Sequence, residues 1–255
     1  MSLDRYPGKT PIMQKHIRAT LTLLAVVAAV APSRVAHAQT ATSGAFITMV
    51  GNDTIAVEQF TRAGNVLIGD YVSRPGGTVV NHYVMHFDVN NMPNRLELTQ
   101  QRADGKPIPN GPRSVVLTVG EKEATIVIQR DSAITRKFAV TAPYPLLGTS
   151  LVMFEVAFHR LRTFKADSTS FAGLPLNAQL LPDPIQVRFY AADSARVVSA
   201  QGPLYMRVDA TGRILGLNAT ATSSPMRAER VNAIDLRKLI ASFGAADAAG
   251  RGIRP

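Results

Sequence analysis

Glu155 and His159 stand one helical turn apart in a segment whose apolar residues recur at helical spacing. A carboxylate that orients an imidazole is the pairing used in general acid-base catalysis. The same spacing also describes an ordinary helix-surface pair, and no nucleophile accompanies it nearby. Beyond residue 38 the remaining histidines are His82 and His86. They share a strand face but lie roughly 13 Å apart along it, too far for one metal ion. Glu58, Asp70, Asp88 and Glu97 fall in strand-forming runs, where two carboxylates facing across a sheet would form a glycosidase-type pair. Their separation depends on strand register, which the sequence does not supply.

The familiar chemical motifs do not occur. There is no G-x-S-x-G elbow, Walker A loop, G-x-G-x-x-G fingerprint, H-E-x-x-H or EF-hand loop. The chain has no cysteine, which excludes thiol catalysis, cysteine-ligated metal, disulfides and a lipid anchor through an N-terminal cysteine. The reading therefore assigns no catalytic residue, no metal ligand and no cofactor.

Lys15, His16 and Arg18 precede the apolar run 19–31, and Val35-Ala36-His37-Ala38 places small residues at −3 and −1. That is a cleavable export signal over residues 1–38, and the run is shorter than the ~20 residues a spanning helix needs. The expected product is periplasmic or secreted, of bacterial type, with no membrane span. The signal holds five of the 28 basic residues and one of the 18 acidic ones, so the net charge of +10 falls to +6 over the remaining 217 residues. The basic residues are dispersed without a Lys/Arg run or basic-aromatic interleaving, so no nucleic-acid partner is expected. A modest long-range attraction to anionic lipid or cell-wall polymer is the more plausible consequence.

The elements that must position these residues read as mainly β, in the α+β class. Eight candidate strands (45–50, 54–61, 66–73, 79–88, 95–102, 114–119, 123–129 and 133–140) alternate with turns rich in Gly, Asn, Asp and Pro. They make an antiparallel meander over 44–141, curved into an open sheet or half-barrel. Most strands have period two, so Leu96 and Leu98 turn away from Arg95 and Glu97, and Val57 turns away from Glu58 onto the dry face. Tyr83, Met85 and Phe87 share one face of a strand apolar on both sides. A helix over 149–165, with Gly148-Thr149-Ser150 at its start and Leu151, Phe154, Phe158 and Leu161 as its stripe, is expected to cover the concave side. Residues 166–184 show no clear periodicity. A second, smaller meander follows over 185–231, then a helix over 233–243 and a disordered tail over 244–255. The exported β-rich domain is thus 39–243.

The meander over 44–141 and the helix placed to cover its concave face resemble the half-barrel of periplasmic lipoprotein carriers of the LolA type, and the run from Gly51-Asn52-Asp53-Thr54 through Gly64-Asn65 reads like hairpins of many uncharacterised exported bacterial proteins. The resemblance implies a hydrophobic groove between sheet and helix that holds acyl chains. On the residues themselves, Tyr83, Met85, Phe87, Phe154 and Phe158 are the candidate lining for an apolar or amphiphilic ligand, with Glu155 and His159 as a polar site. The leading expectation is a noncatalytic binding or carrier protein for lipid or another amphiphile. Two others stand beside it: a structural or adaptor domain that meets a cell-envelope partner through a sheet edge, and a hydrolase of unrecognised type.

Overall fold

Val50 pairs with Asp53 and Ala63 with Val66, leaving Gly51-Asn52 and Gly64-Asn65 as two-residue turns. Gly51 and Gly64 take φ of 57° and 60°, the left-handed region that a side chain with a Cβ resists. The computed structural model describes residues 41–140, 143–176, 181–200, 202–219 and 225–252; the expected export signal lies outside them. The eight expected strands are present as β1 (Thr42–Val50), β2 (Asp53–Ala63), β3 (Val66–Ser73), β4 (Val79–Phe87), β5 (Pro93–Arg102), β6 (Ser114–Val119), β7 (Glu123–Gln129) and β8 (Ala133–Ala139). Each pairs antiparallel with the next.

Two strands escape the sequence reading, β9 (Pro143–Leu146) and β10 (Ser168–Pro175), on either side of helix α1 (Val152–Thr163). They pair in parallel, and a parallel pair needs a crossover that returns the chain to the same end. Helix α1 is that crossover. β9 lies at the sheet edge, the position where Pro143 and Pro145, which lack an N–H for the ladder, are tolerated.

The second meander comprises β11 (Asp183–Ala191), β12 (Ser194–Ser199), β13 (Gly202–Val208), β14 (Ile214–Asn218) and β15 (Arg227–Val231). It is not a separate sheet. β15 pairs with β1, with Phe46 opposite Arg230, so all fifteen strands form one curved, unclosed sheet in the order β8-β7-β6-β5-β4-β3-β2-β1-β15-β14-β13-β12-β11-β10-β9. α1 lies against its concave face, burying Val152, Met153, Val156, Ala157, Phe158 and Leu161. With apolar side chains on so many sides, the helix joins residues of both meanders in one core.

The C-terminal helix α2 (Leu236–Ala248) packs on the opposite face. Phe243 buries itself against Val57, Val72 and Val80, with Ile234, Leu236, Leu239 and Ile240 around them. α2 runs through residues 244–248, which the sequence reading assigned to a disordered tail. Good helix formers continue past Gly244, and Asp247 accepts a hydrogen bond from the Thr78 backbone N–H at 2.7 Å, tying the last turn to the sheet. Among the described residues no helix is long and apolar enough to cross a membrane.

Candidate functional site

Covering both faces of β2 changes the meaning of its alternation. Val57 turns outward yet is fully buried beneath α2, and Glu58 turns inward and is 2 % exposed. The expected wet face of β2 is thus the protein interior, because α2 supplies a second apolar layer that strand periodicity does not reveal. An inward carboxylate must find donors. Glu58 accepts hydrogen bonds from Tyr83 Oη at 3.0 Å, Ser150 Oγ at 2.6 Å, and the backbone N–H groups of Leu151 and Val152 at 2.9 and 3.3 Å.

The last two donors are unpaired groups at the start of α1. The helix N-cap, Leu151, has no side-chain cap of its own, so the expected Thr149-Ser150 cap is replaced by a carboxylate from a strand 92 residues away in sequence from Ser150. Negative charge at this end also complements the helix dipole. Burial raises the Glu58 carboxyl above its ordinary range, and the four donors offset part of that rise. Tyr83 is raised well above a normal phenol, by burial first and then by Glu58, and so keeps the proton it donates.

Tyr83 reaches Glu58 by lying across Gly69, its register partner on β3. A Cβ at Gly69 would sit 2.3 Å from Tyr83 Oη. Gly69→Ala is therefore expected to displace the phenol and lower stability by about 1–3 kcal/mol; an unfolding midpoint equal to wild type in urea would show that the tyrosine has another way past.

The preceding loop, residues 147–151, is held by Tyr71. Its hydroxyl accepts from the Thr149 N–H at 3.1 Å and lies 2.9 Å from Thr149 Oγ1. This loop and the first turn of α1 form one wall of a cavity of about 740 Å³. Leu147, Leu151, Phe154, Leu176, Ile185 and Leu217 line it, together with Leu204 and Met226. Gln100, Thr149, Asp183 and Ser199 contribute the polar part of the lining.

Of the five expected ligand-lining residues, Phe154 stands on this cavity. Tyr83, Met85, Phe87 and Phe158 are packed in the core between sheet and helix. Phe158 stacks obliquely on Phe189 with ring centroids 5.4 Å apart. These four side chains fill their part of the sheet-helix interface, and the 740 Å³ cavity lies at the N-terminal end of α1.

Glu155 and His159 do not pair with each other. Arg230 grips Glu155 in a bidentate ion pair with N–O distances of 2.6 and 3.2 Å, and the Ile214 N–H adds a third bond at 2.8 Å. His159 Nδ1 instead meets the Thr211 carbonyl at 3.1 Å. Both residues line a smaller cavity of about 430 Å³ with Phe60, Arg62 and Arg213. Burial pushes the Glu155 carboxyl up, opposed by Arg230. A carboxylate committed to an arginine is not free to orient the imidazole, so the expected acid-base pair does not form. Asp70 pairs with His82 at 2.9 Å on the exposed face, and among the described residues no three metal-ligating side chains converge.

No family model matches this chain, and no curated protein matches it. Two solved structures are similar. A DUF1089 family protein from Pseudomonas aeruginosa aligns with a TM-score of 0.48 at 12% identity, over 64% of this chain and 89% of its own. A beta-barrel-like protein of domain of unknown function DUF1849 from Brucella abortus aligns with a TM-score of 0.44 at 7% identity, over 75% of this chain and 94% of its own. Neither is described as a lipoprotein carrier.

In the sequence Glu58 stands only as one of four strand carboxylates, and nothing in residues 168–185 marks a cavity wall. The one signal available was an acidic residue sharing its strand face with Phe60, two positions on, in a chain with a helix needing an N-terminal partner. The lining residues carry no signal, since Leu and Ile in irregular segments are indistinguishable from core.

Proposed function

We propose that this protein is a noncatalytic binder or carrier of an apolar or amphiphilic molecule, seated in the cavity at the N-terminal end of α1. One observation carries the reading: about 740 Å³ of space walled by leucine, isoleucine and phenylalanine side chains, with a few polar groups in the lining. Ligand sites have this size and this ratio of apolar wall to polar fixing groups. A single polar end would meet Gln100, Thr149 or Ser199 while the apolar body displaces water from the leucines.

The rival readings have less support. Glu155 and His159 are each engaged elsewhere, which removes the acid-base pair on which a hydrolase would rest. The β8 edge presents Arg136 and Lys137, charges of the kind that discourage strand addition.

The chain contains no tryptophan, so the cavity can be probed without background. Purified protein is expected to take up the neutral dye N-phenyl-1-naphthylamine saturably and to release lipid on organic extraction, detected by mass spectrometry. Leu204→Trp, which fills part of the cavity, should weaken dye binding roughly tenfold or more while leaving the unfolding midpoint within a few degrees. Wild-type protein that gives no saturable uptake and no extractable amphiphile would end the carrier reading.

A further inference from the structure

Strand register gathers on one face the arginines that look dispersed in sequence. Arg188 of β11 stands directly opposite Arg196 of β12, Arg196 opposite Tyr205 of β13, Tyr205 opposite Asn218 of β14, and Asn218 opposite Arg227 of β15. This single row crosses five strands, about 19 Å at the usual interstrand spacing. Arg207 occupies the adjoining row, opposite Ser194 and Gly216, and its guanidinium lies close over Gly216. Their strand neighbours Val187, Val197, Met206, Leu217 and Ala228 are buried in the core, so the arginines point to the convex side.

Among the described residues, nothing neutralises the charge on this face. Arg188 faces Arg196, a like-charge pair that costs stability unless an external anion sits between. Among the described residues, no carboxylate lies within ion-pair distance of Arg188, Arg196, Arg207 or Arg227. Glu229 is the one outward carboxylate in the described strands from β10 to β15. The rest of the convex face differs: α2 covers Val57, Val72 and Val80, and cations there have carboxylate partners, as in Arg95 with Glu97 and Lys137 with Glu123. Two tyrosines, Tyr190 and Tyr205, are half-exposed within the arginine face, with the Arg196 guanidinium 5.0 Å from the Tyr190 ring.

We propose that the convex face of β11–β15 docks the protein on the surface of an anionic phospholipid bilayer. Guanidinium groups pair with phosphate through two parallel N–H donors, and tyrosine suits a boundary with an apolar and a wet side. The shape favours a bilayer over nucleic acid. A convex sheet touches a plane but has no groove to track a single strand and no projecting element to enter a duplex groove. The face is opposite the one that holds the cavity, so this inference stands independently of the ligand reading.

The test is sedimentation with vesicles of phosphatidylcholine alone or with about one-third phosphatidylglycerol, at roughly 50 and 500 mM salt. Wild-type protein is expected to prefer the anionic vesicles and to lose that preference at high salt. The quadruple variant Arg188→Gln/Arg196→Gln/Arg207→Gln/Arg227→Gln should bind them at least roughly a hundredfold more weakly, at about fivefold per arginine. A control with the same charge change, Arg95→Gln/Arg113→Gln/Arg136→Gln/Lys137→Gln, should keep most of the affinity. Circular dichroism and the unfolding midpoint verify the fold of both. Equal binding by the arginine variant, an equal loss in the control, or wild-type binding to a single-stranded oligonucleotide without binding to vesicles would each overturn the proposal. A lack of preference between the two vesicles would overturn it as well. Dye uptake into the cavity, read on the same variants, is expected to stay unchanged, which separates failure of this surface from failure of the carrier reading.

Discussion

Glu58→Ala lowers the stability of the fold by about 3–5 kcal/mol in urea unfolding, the scale on which removing one partner of a buried charged network acts. The alanine leaves Tyr83 Oη, Ser150 Oγ and the N–H groups of Leu151 and Val152 without the acceptor they share, and each stranded buried donor carries a penalty. Glu58→Gln should recover most of the loss. Its amide oxygen can take the two backbone N–H bonds, and the two hydroxyls can turn to accept from its NH2.

The pair of variants also sets a pH dependence. Burial raises the Glu58 carboxyl above its ordinary value of 4.5, so the folded protein holds that proton more tightly than the unfolded chain. The ionised group thus costs stability above the folded pKa. That cost is relieved as pH falls through the folded pKa and is gone below about 4.5. Glutamine does not titrate, so the stability difference between wild type and Glu58→Gln should move in favour of wild type as pH is lowered from 7 toward 4.5. A difference that stays flat, or moves the other way, would mean that the four donors outweigh burial. A Glu58→Ala protein within 1 kcal/mol of wild type would remove Glu58 as the anchor of α1. Because that anchor adjoins loop 147–151, the loss should also be felt at the cavity wall, as weaker dye binding.

The second large effect belongs to the Glu155–Arg230 pair. Their side chains are 12% and 9% exposed, and the Arg230 guanidinium lies 5.0 and 5.4 Å from the ring centroids of Phe46 and Phe60. Room for it comes from Gly44, where a Cβ would meet Arg230 Nη2 at 2.4 Å. Glu155→Ala should cost about 3–5 kcal/mol, since it leaves a buried guanidinium and the Ile214 N–H without their acceptor. Glu155→Leu/Arg230→Met should cost far less than the sum of its single changes, because it removes both charges and keeps the volume. The double-mutant cycle in urea measures the coupling. Single variants that each cost under 1 kcal/mol would show that water reaches the pair and screens it. This pair also joins α1 to β15, and β15 closes the second meander onto β1, so it serves the assembly of the two halves more than any chemistry of Glu155.

Much of the architecture was legible because the turns are chemically explicit. The eight strands from Thr42 to Ala139 lie where the turn residues placed them, and α1 lies where Leu151, Phe154, Phe158 and Leu161 marked a stripe. β9 and β10 were not legible. Four residues with two prolines do not resemble a strand, and a parallel partner 29 residues further on leaves no local periodicity to read. Tyr83, Met85 and Phe87 read as ligand-lining residues for a sound reason, since their strand is apolar on both faces. The second apolar face of that strand meets α2 through Val80, while Tyr83, Met85 and Phe87 are spent on the core.

The sequence by itself determined the first eight strands, their turns, the main helix and the mainly β class, because those follow from neighbours within a few residues. Tertiary structure alone decided which face of β2 is inside, what caps α1, that two meanders make one sheet, and that four scattered arginines share the convex face in two adjoining rows. The physical reason is common to all four. Alternation along a strand defines two faces but not their surroundings, and those surroundings come from register and curvature, which join residues far apart in the chain.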